Sequence, residues 1–269
     1  MGSVFIIAEN INIMSRRLGP ALKAREAEPL QEMARRLEAA GADALDINLG
    51  PARKGGEELM RFAIDSVSAV TRLPLCLDTT NPDALAAGIA HCDELGLPKP
   101  LINSFSMQPD KLERILPLAA ASGCDIIGLM MGDAVPADAD ERIAMAFELV
   151  AAANELGIGN DRLYLDPIIL PVTLDVGQQG ALAVQEALRA LPDMFDPPVK
   201  TTCGLSNVSN GMPTDLRSGV NCVYMAMLAA LGMSSAIVDV LDPQMMRTLR
   251  LIRALRNESL FSVSDAELA

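Results

Sequence analysis

Short apolar runs alternate with longer amphipathic stretches along the chain, and most changes from run to stretch carry an Asp, Asn or Gly. Residues 4–8 read as a strand closed by Glu9-Asn10-Ile11-Asn12, followed by a helix over about 29–40 that stops at Gly41. The pattern repeats as strand 44–49 and helix 57–71, strand 74–77 and helix 83–95, strand 101–104 and helix 109–122. It continues as strand 125–131 and helix 138–156, strand 162–165, a mixed loop over 168–180, and helix 181–191. Strands 199–205 and 235–240, with helices 220–231 and 243–256, complete eight units. Strands separated by helices at about 30-residue spacing predict a parallel sheet, and eight of them predict a closed (β/α)8 TIM barrel. The expectation is a single barrel domain over residues 1–269. The runner-up, a doubly wound sheet, calls for a glycine-rich dinucleotide turn, and no GxGxxG follows any strand. Gly41, Gly96, Gly123, Gly157 and Gly232 stand where helices should end before the next strand.

Composition removes several function classes. Hydrophobic residues make up 50% of the 269 positions, yet no apolar run approaches the roughly 20 residues of a membrane-spanning helix. The start reaches Glu9 without a basic leader, which predicts a cytoplasmic protein. A net charge of −13 disfavours nucleic acid or an anionic membrane as partner. The five cysteines are scattered without a CxxC, and His91 is the single histidine. Neither a metal site in this chain nor Ser-His-Asp or Cys-His catalysis is therefore expected.

In a barrel of this kind the chemistry collects at the carboxyl ends of the strands. Those ends carry Glu9 and Asn12, Asp46 and Asn48, Asp78, Asn103, Asp166, Asn207 and Asp239. For Asp239, and for Asn48 beside Gly50-Pro51, capping or turn formation competes with a site role. Asp78 and Asp166 differ, because each directly follows an apolar strand, Leu75-Cys76-Leu77 and Leu163-Tyr164-Leu165. A carboxylate accepts two parallel N–H bonds from an amino-pyrimidinone edge, and an Asn both donates and accepts. Such a mouth suits a neutral, donor-rich heterocycle such as a pterin or purine. Mg²⁺ is the competing use of clustered acids, ranked lower because amides separate them.

Four motifs then carry a resemblance. Leu75-Cys76-Leu77-Asp78-Thr79-Thr80-Asn81, Leu101-Ile102-Asn103-Ser104, Leu163-Tyr164-Leu165-Asp166-Pro167 and Gly204-Leu205-Ser206-Asn207-Val208-Ser209 resemble, in order and spacing, the pterin-binding methyltransferases. Ala8-Glu9-Asn10-Ile11-Asn12 and Asp46-Ile47-Asn48-Leu49-Gly50-Pro51 fit the same pattern. Within it, the methyltetrahydrofolate:corrinoid protein methyltransferases are the nearest likeness. The resemblance implies that Asp78, Asn103 and Asp166 hold the pterin of tetrahydrofolate or 5-methyltetrahydrofolate, while Asn207 approaches N5, the methyl-bearing atom. It places Glu9, Asn12, Asp46, Asn48, Gly204 and Ser206 around that site, and Lys200 and Arg217 are assigned to the carboxylates of the folate tail. It further implies a corrinoid (cobalamin) carried by a separate partner protein, and a homodimer. The related dihydropteroate synthases would show a basic Arg-x-His at the end of strand eight, where this chain has Val238-Asp239-Val240-Leu241-Asp242.

Overall fold

The computed structural model describes residues 3–267. Its strands are β1 (Phe5–Asn12), β2 (Ala44–Gly50), β3 (Leu75–Thr79), β4 (Leu101–Phe105), β5 (Ile126–Leu129), β6 (Leu163–Asp166), β7 (Lys200–Thr201) and β8 (Ser235–Val238). All pair in parallel, in the order β7-β6-β5-β4-β3-β2-β1-β8. The ring closes where Gly204 bridges Ile237 and the Ile237 N–H donates to the Cys203 carbonyl at 2.8 Å. Outside it lie α1 (Leu18–Ala24), α2 (Ala27–Ala39), α3 (Gly56–Ser68), α4 (Pro82–Glu94), α5 (Pro109–Arg114), α6 (Leu116–Ser122), α7 (Ala139–Glu155), α8 (Gly177–Ala190), α9 (Thr214–Ala230) and α10 (Pro243–Leu255). This is the expected (β/α)8 barrel.

Because side chains alternate along a strand, each strand serves two cores. One set faces the helices in the large outer core, which includes Ile6, Leu45, Leu77, Ile102, Ile126 and Leu165. The other forms a small inner cluster of Ile7, Ala44, Cys76, Ile127 and Ile237, with Phe5, Leu101, Leu129 and Tyr164 against it. Counting on by two from the inner set leads to Glu9, Asp46, Asn48, Asp78, Asn103, Asp166 and Asp239. In β1, β2, β3, β4, β6 and β8 the inward column thus changes from apolar to polar toward the carboxyl end, while β5 keeps Leu129 there.

Three ladders slip by a residue at that end. The shifts fall between Ala8 and Ile11 of β1, between Asn48 and Gly50 of β2, and between Asn103 and Phe105 of β4. Bulges at a barrel rim re-aim side chains.

The elements depart from the sequence reading in four places. The helix expected over 109–122 is two helices, because Pro117 stands in the first turn of α6. The ladder of β7 is confined to Lys200–Thr201, since after Thr202 the chain pairs with β8 and enters a 3-10 turn over Leu205–Ser209. Helix α9 begins at Thr214 rather than 220, and α1 has no counterpart in the sequence reading.

Candidate functional site

The carboxyl ends of the strands enclose a cavity of about 980 Å³, lined among others by Glu9, Asn12, Asp46, Asn48, Asp78, Asn103, Asp166, Gly204 and Asn207. Its volume is at the upper end of the range for small-molecule sites. These expected residues therefore meet, although they come from six different strands or the turns after them; Asp239, after β8, lines the neighbouring cavity instead.

Around β2, β3 and β4 the polar groups hold one another. The Asn48 amide donates to Asp78 Oδ2, and Asn48 Oδ1 accepts the Gly50 N–H at 3.0 Å. The Asn103 amide reaches Asp46 Oδ1 at 3.4 Å. Asp46 is 2% exposed; burial, and secondarily the charge of Asp78, raise its carboxyl well above the usual range. Asp78 is pushed up to about 7 by burial, with Lys111 of α5 opposing. Lys111 itself is anchored by donating to the Thr80 carbonyl at 3.2 Å.

Across the mouth, Asp166 is 8% exposed. Burial raises it to about 6, and the backbone N–H groups of Ile168 and Gly204 pull the other way. Asp166 Oδ1 accepts the Ile168 N–H at 2.8 Å, and the residue lines the cavity. The loop behind it is pinned by Arg142, which is fully buried and donates from Nε to the Pro167 carbonyl and from Nη1 to the Asp138 carbonyl, both at 3.0 Å.

The turn after β7 supplies Ser206 and Asn207. Ser206 Oγ donates to Glu9 Oε1 at 2.6 Å. Asn207 is exposed to the cavity, and a Cβ on Gly204 would stand 3.1 Å from its Nδ2, so a side chain there would crowd the amide. Asn12 Oδ1 is engaged by the Met14 N–H at 2.8 Å, which makes it a turn former as well as a lining residue. Arg217 lies on the cavity wall, its Nε donating to the Met212 carbonyl at 2.9 Å.

One expectation is corrected. Lys200 is the first residue of β7 and pairs with Tyr164, two residues before Asp166 on β6. Its ammonium bonds Asp125 at 3.1 Å and lies 4.6 Å from the centre of the Tyr164 ring. It fills the amino end of the barrel, below the apolar inner layer, and does not line the mouth. That placement speaks against a role in holding a folate tail at the mouth.

Lys111, Asn10 and Arg142 were not anticipated. The Asn10 amide donates to Asp239 Oδ1 at 2.6 Å, tying β1 to the end of β8. Arg142 had a signal in the sequence: it shares the buried stripe of α7 with Ala146, Leu149 and Ala153, where an apolar residue belongs. Lys111 had none, because only the placement of the short α5 brings it beside Asp78.

A parallel barrel whose strand ends enclose an acid- and amide-lined cavity is the scaffold of a small-molecule site suited to a hydrogen-bond-donating ligand. A family model described as pterin binding enzyme matches residues 18–239, and the chain belongs to that family. It is 25% identical over 252 residues to a methylcorrinoid:tetrahydrofolate methyltransferase of Eubacterium limosum, covering 90% of this chain and 88% of that protein. It is 26% identical over 248 residues to methionine synthase of Mycobacterium leprae, covering 88% of this chain but 20% of the relative. Among solved structures, a dihydropteroate synthase of Xanthomonas albilineans with 4-aminobenzoic acid shares the fold at a TM-score of 0.71 and 18% identity, over 97% of this chain and 95% of that one. A Stenotrophomonas maltophilia dihydropteroate synthase does so at 0.69 and 18%, over 97% and 95% of the two chains. Among the described residues, no helix is long and apolar enough to cross a membrane.

Proposed function

We propose that this chain moves a methyl group between N5 of tetrahydrofolate and the cobalt of a corrinoid carried by a partner protein. One observation carries the reading. Asp78, Asn103, Asp166 and Asn207 line a single cavity in a chain that aligns with a methylcorrinoid:tetrahydrofolate methyltransferase along 90% of its length.

In this reading Asp78, Asn103 and Asp166 hold the pterin. Carboxylates buried without a direct cation partner suit a ligand that brings N–H donors, and binding one offsets the desolvation that raises these acids. Asn207, whose amide makes no hydrogen bond within the described residues, stands at N5. A tertiary amine is a poor leaving group, so methyl departure needs positive charge at N5 by the transition state. A bond from Asn207 that strengthens as N5 becomes cationic lowers that barrier, because only interactions stronger in the transition state accelerate the step. The corrinoid arrives as the second substrate on its carrier and supplies the cobalt that gives or takes the methyl group. No covalent enzyme intermediate is required. Arg217 remains the choice for a carboxylate of the folate tail.

The homodimer belongs to the same proposal. Leu216, Val223 and Met227 of α9 are 54%, 63% and 42% exposed, and Leu182 of α8 is 53% exposed. From Ser218 to Ala230 the helix carries no charged residue. A helix apolar on its outer face as well as its inner one is suited to burial against another surface.

The test is to mix the protein with 5-methyltetrahydrofolate and chemically reduced cobalamin and follow the corrinoid spectrum. Methylcobalamin formation above the uncatalysed rate supports the proposal. Folate binding without transfer, with free cobalamin and with native corrinoid proteins in both directions, would instead leave a folate-binding barrel.

A further inference from the structure

We propose that Glu9 gives the proton to, and takes it from, the folate nitrogen that faces Asn207, and that a hydroxyl-lined pocket behind Glu9 exchanges that proton with solvent. The proposal rests on the methyl-transfer reading above and names a residue for a step which that reading leaves unassigned.

The backbone builds Glu9 into place. It lies in the one-residue bulge of β1, between Ala8 and Ile11, and both halves of the bulge are tied down. Glu9 Oε1 accepts from Ser206 Oγ at 2.6 Å, while the neighbouring Asn10 amide donates to Asp239 Oδ1 at 2.6 Å. Ser206 adjoins Asn207, so the hydrogen bond ties Glu9 to the segment that carries the N5-facing amide. Glu9 and Asn207 line the mouth, and both also line a second cavity of about 500 Å³. That cavity is walled by Ser206, Ser209, Thr214 and Ser218, groups that order water and pass protons. Glu9 therefore stands at the junction of two chambers, one suited to the ligand and one leading away from it.

Each mouth acid has an oxygen held by a neighbour, and Glu9 is set apart from the other three by lining the second cavity as well as the mouth. Asp46 is held by Asn103, Asp78 by Asn48, and Asp166 by the Ile168 N–H. Glu9 has Oε2 left, with no hydrogen-bond partner among the described residues. Burial raises its carboxyl to about 7, with Ser206 lowering it and Asp239 raising it. The ionisable groups facing it are Asp239 after β8, Asp46 on β2, Cys203 after β7 and Arg217 on α9, with Asp166 and Asp242 on the cavity walls. A group titrating near neutrality serves as acid in one direction and base in the other.

The step balances. As the methyl group leaves 5-methyltetrahydrofolate, the N5–carbon bond breaks, the reduced corrinoid's electron pair takes the methyl, and N5 keeps the proton received from the Glu9 carboxyl. Glu9 is left as a carboxylate with Ser206 donating to it, and reprotonates through the second cavity. In the opposite direction the carboxylate accepts the N5 proton as the methyl arrives.

Glu9→Gln keeps the size and an acceptor for Ser206 but cannot titrate. Calorimetric titration with 5-methyltetrahydrofolate at about pH 7.5, in buffers of different ionisation enthalpy, counts the protons taken up on binding. The variant is expected to take up fewer protons than wild type by a fraction of one, the contributions of Asp78 and Asp166 being common to both, with the dissociation constant changed by less than about threefold. Transfer from 5-methyltetrahydrofolate should slow by roughly 100-fold and lose the decline expected of wild type as pH rises through about 7. Ser206→Ala removes a bond that favours the carboxylate, so its inflection should move to higher pH. A Glu9→Gln enzyme with wild-type proton uptake and an unchanged pH–rate profile overturns the proposal while leaving methyl transfer standing. Proton uptake that depends on Glu9, in a protein that transfers no methyl to any corrinoid, sinks the methyl-transfer reading and leaves Glu9 as the group that exchanges a proton with the folate.

Discussion

Asp166→Asn should make the empty protein more stable and the folate complex weaker. Asp166 is 8% exposed and has no cation beside it, and burial lifts its carboxyl from 3.8 to about 6. A folded-state value above the unfolded one means that the stability contribution is present below the unfolded value and is lost as pH rises through the folded one. Asp166 therefore costs the wild-type protein nothing near pH 4 and its full penalty above about pH 7. At about 1.4 kcal/mol per pH unit, that penalty is about 3 kcal/mol. Asn is close in shape, its Oδ1 can still accept the Ile168 N–H, and it carries no charge to desolvate. For a chain of 269 residues, an unfolding entropy of about 2.1 cal/mol/K per residue turns 3 kcal/mol into a rise of roughly 5 °C in Tm. The folate effect has the opposite sign, because Asn presents an N–H donor to a ligand N–H. Losing a charge-assisted pair costs about 2–3 kcal/mol, or roughly 30- to 150-fold in affinity. The assay is a melting series from pH 4.5 to 8.5 on both proteins, without and with folate. A variant that melts below wild type at pH 8, or whose advantage does not grow between pH 4.5 and 7, refutes the account of a buried, unpaired acid.

Asn207→Ala is expected to lower turnover by at least about tenfold with folate affinity changed much less, whereas Asp78→Ala should weaken binding first. Comparable losses of affinity in the two variants would remove the distinct role given to Asn207. Lys200→Met, at the far end of the barrel, should leave folate affinity within about twofold, because screening and some four residues of strand separate it from the mouth; a loss of tenfold or more would place the tail contact there after all. Val223→Glu should convert a dimer to a monomer in sedimentation or light scattering, with the circular dichroism spectrum kept, since a buried charge without a partner costs several kcal/mol. A wild type that is monomeric at high concentration, or a variant that still dimerises, removes α9 as the dimer face.

Much of the site was legible because a barrel imposes a simple rule on its strands. Period-two alternation leads from Cys76 to Asp78 and from Tyr164 to Asp166, and a parallel barrel brings all such ends to one face. Lys200 shows where the rule stops. It lies in an apolar run like the others, but β7 is so short that a residue at its start belongs to the opposite end of the barrel, a matter of register rather than of composition. Glu9 shows a second limit, since its bulge and its bond to Ser206, 197 positions away, have no local signature. The sequence by itself determined the eight strand-helix units, the acidic and amide character of their ends, and the family motifs, because hydrophobic periodicity and turn chemistry are local. Only the tertiary structure decided which partner holds each acid, which cations reach the mouth, and which acid also opens on the second cavity, because desolvation and hydrogen bonding between strands depend on groups that folding alone brings together.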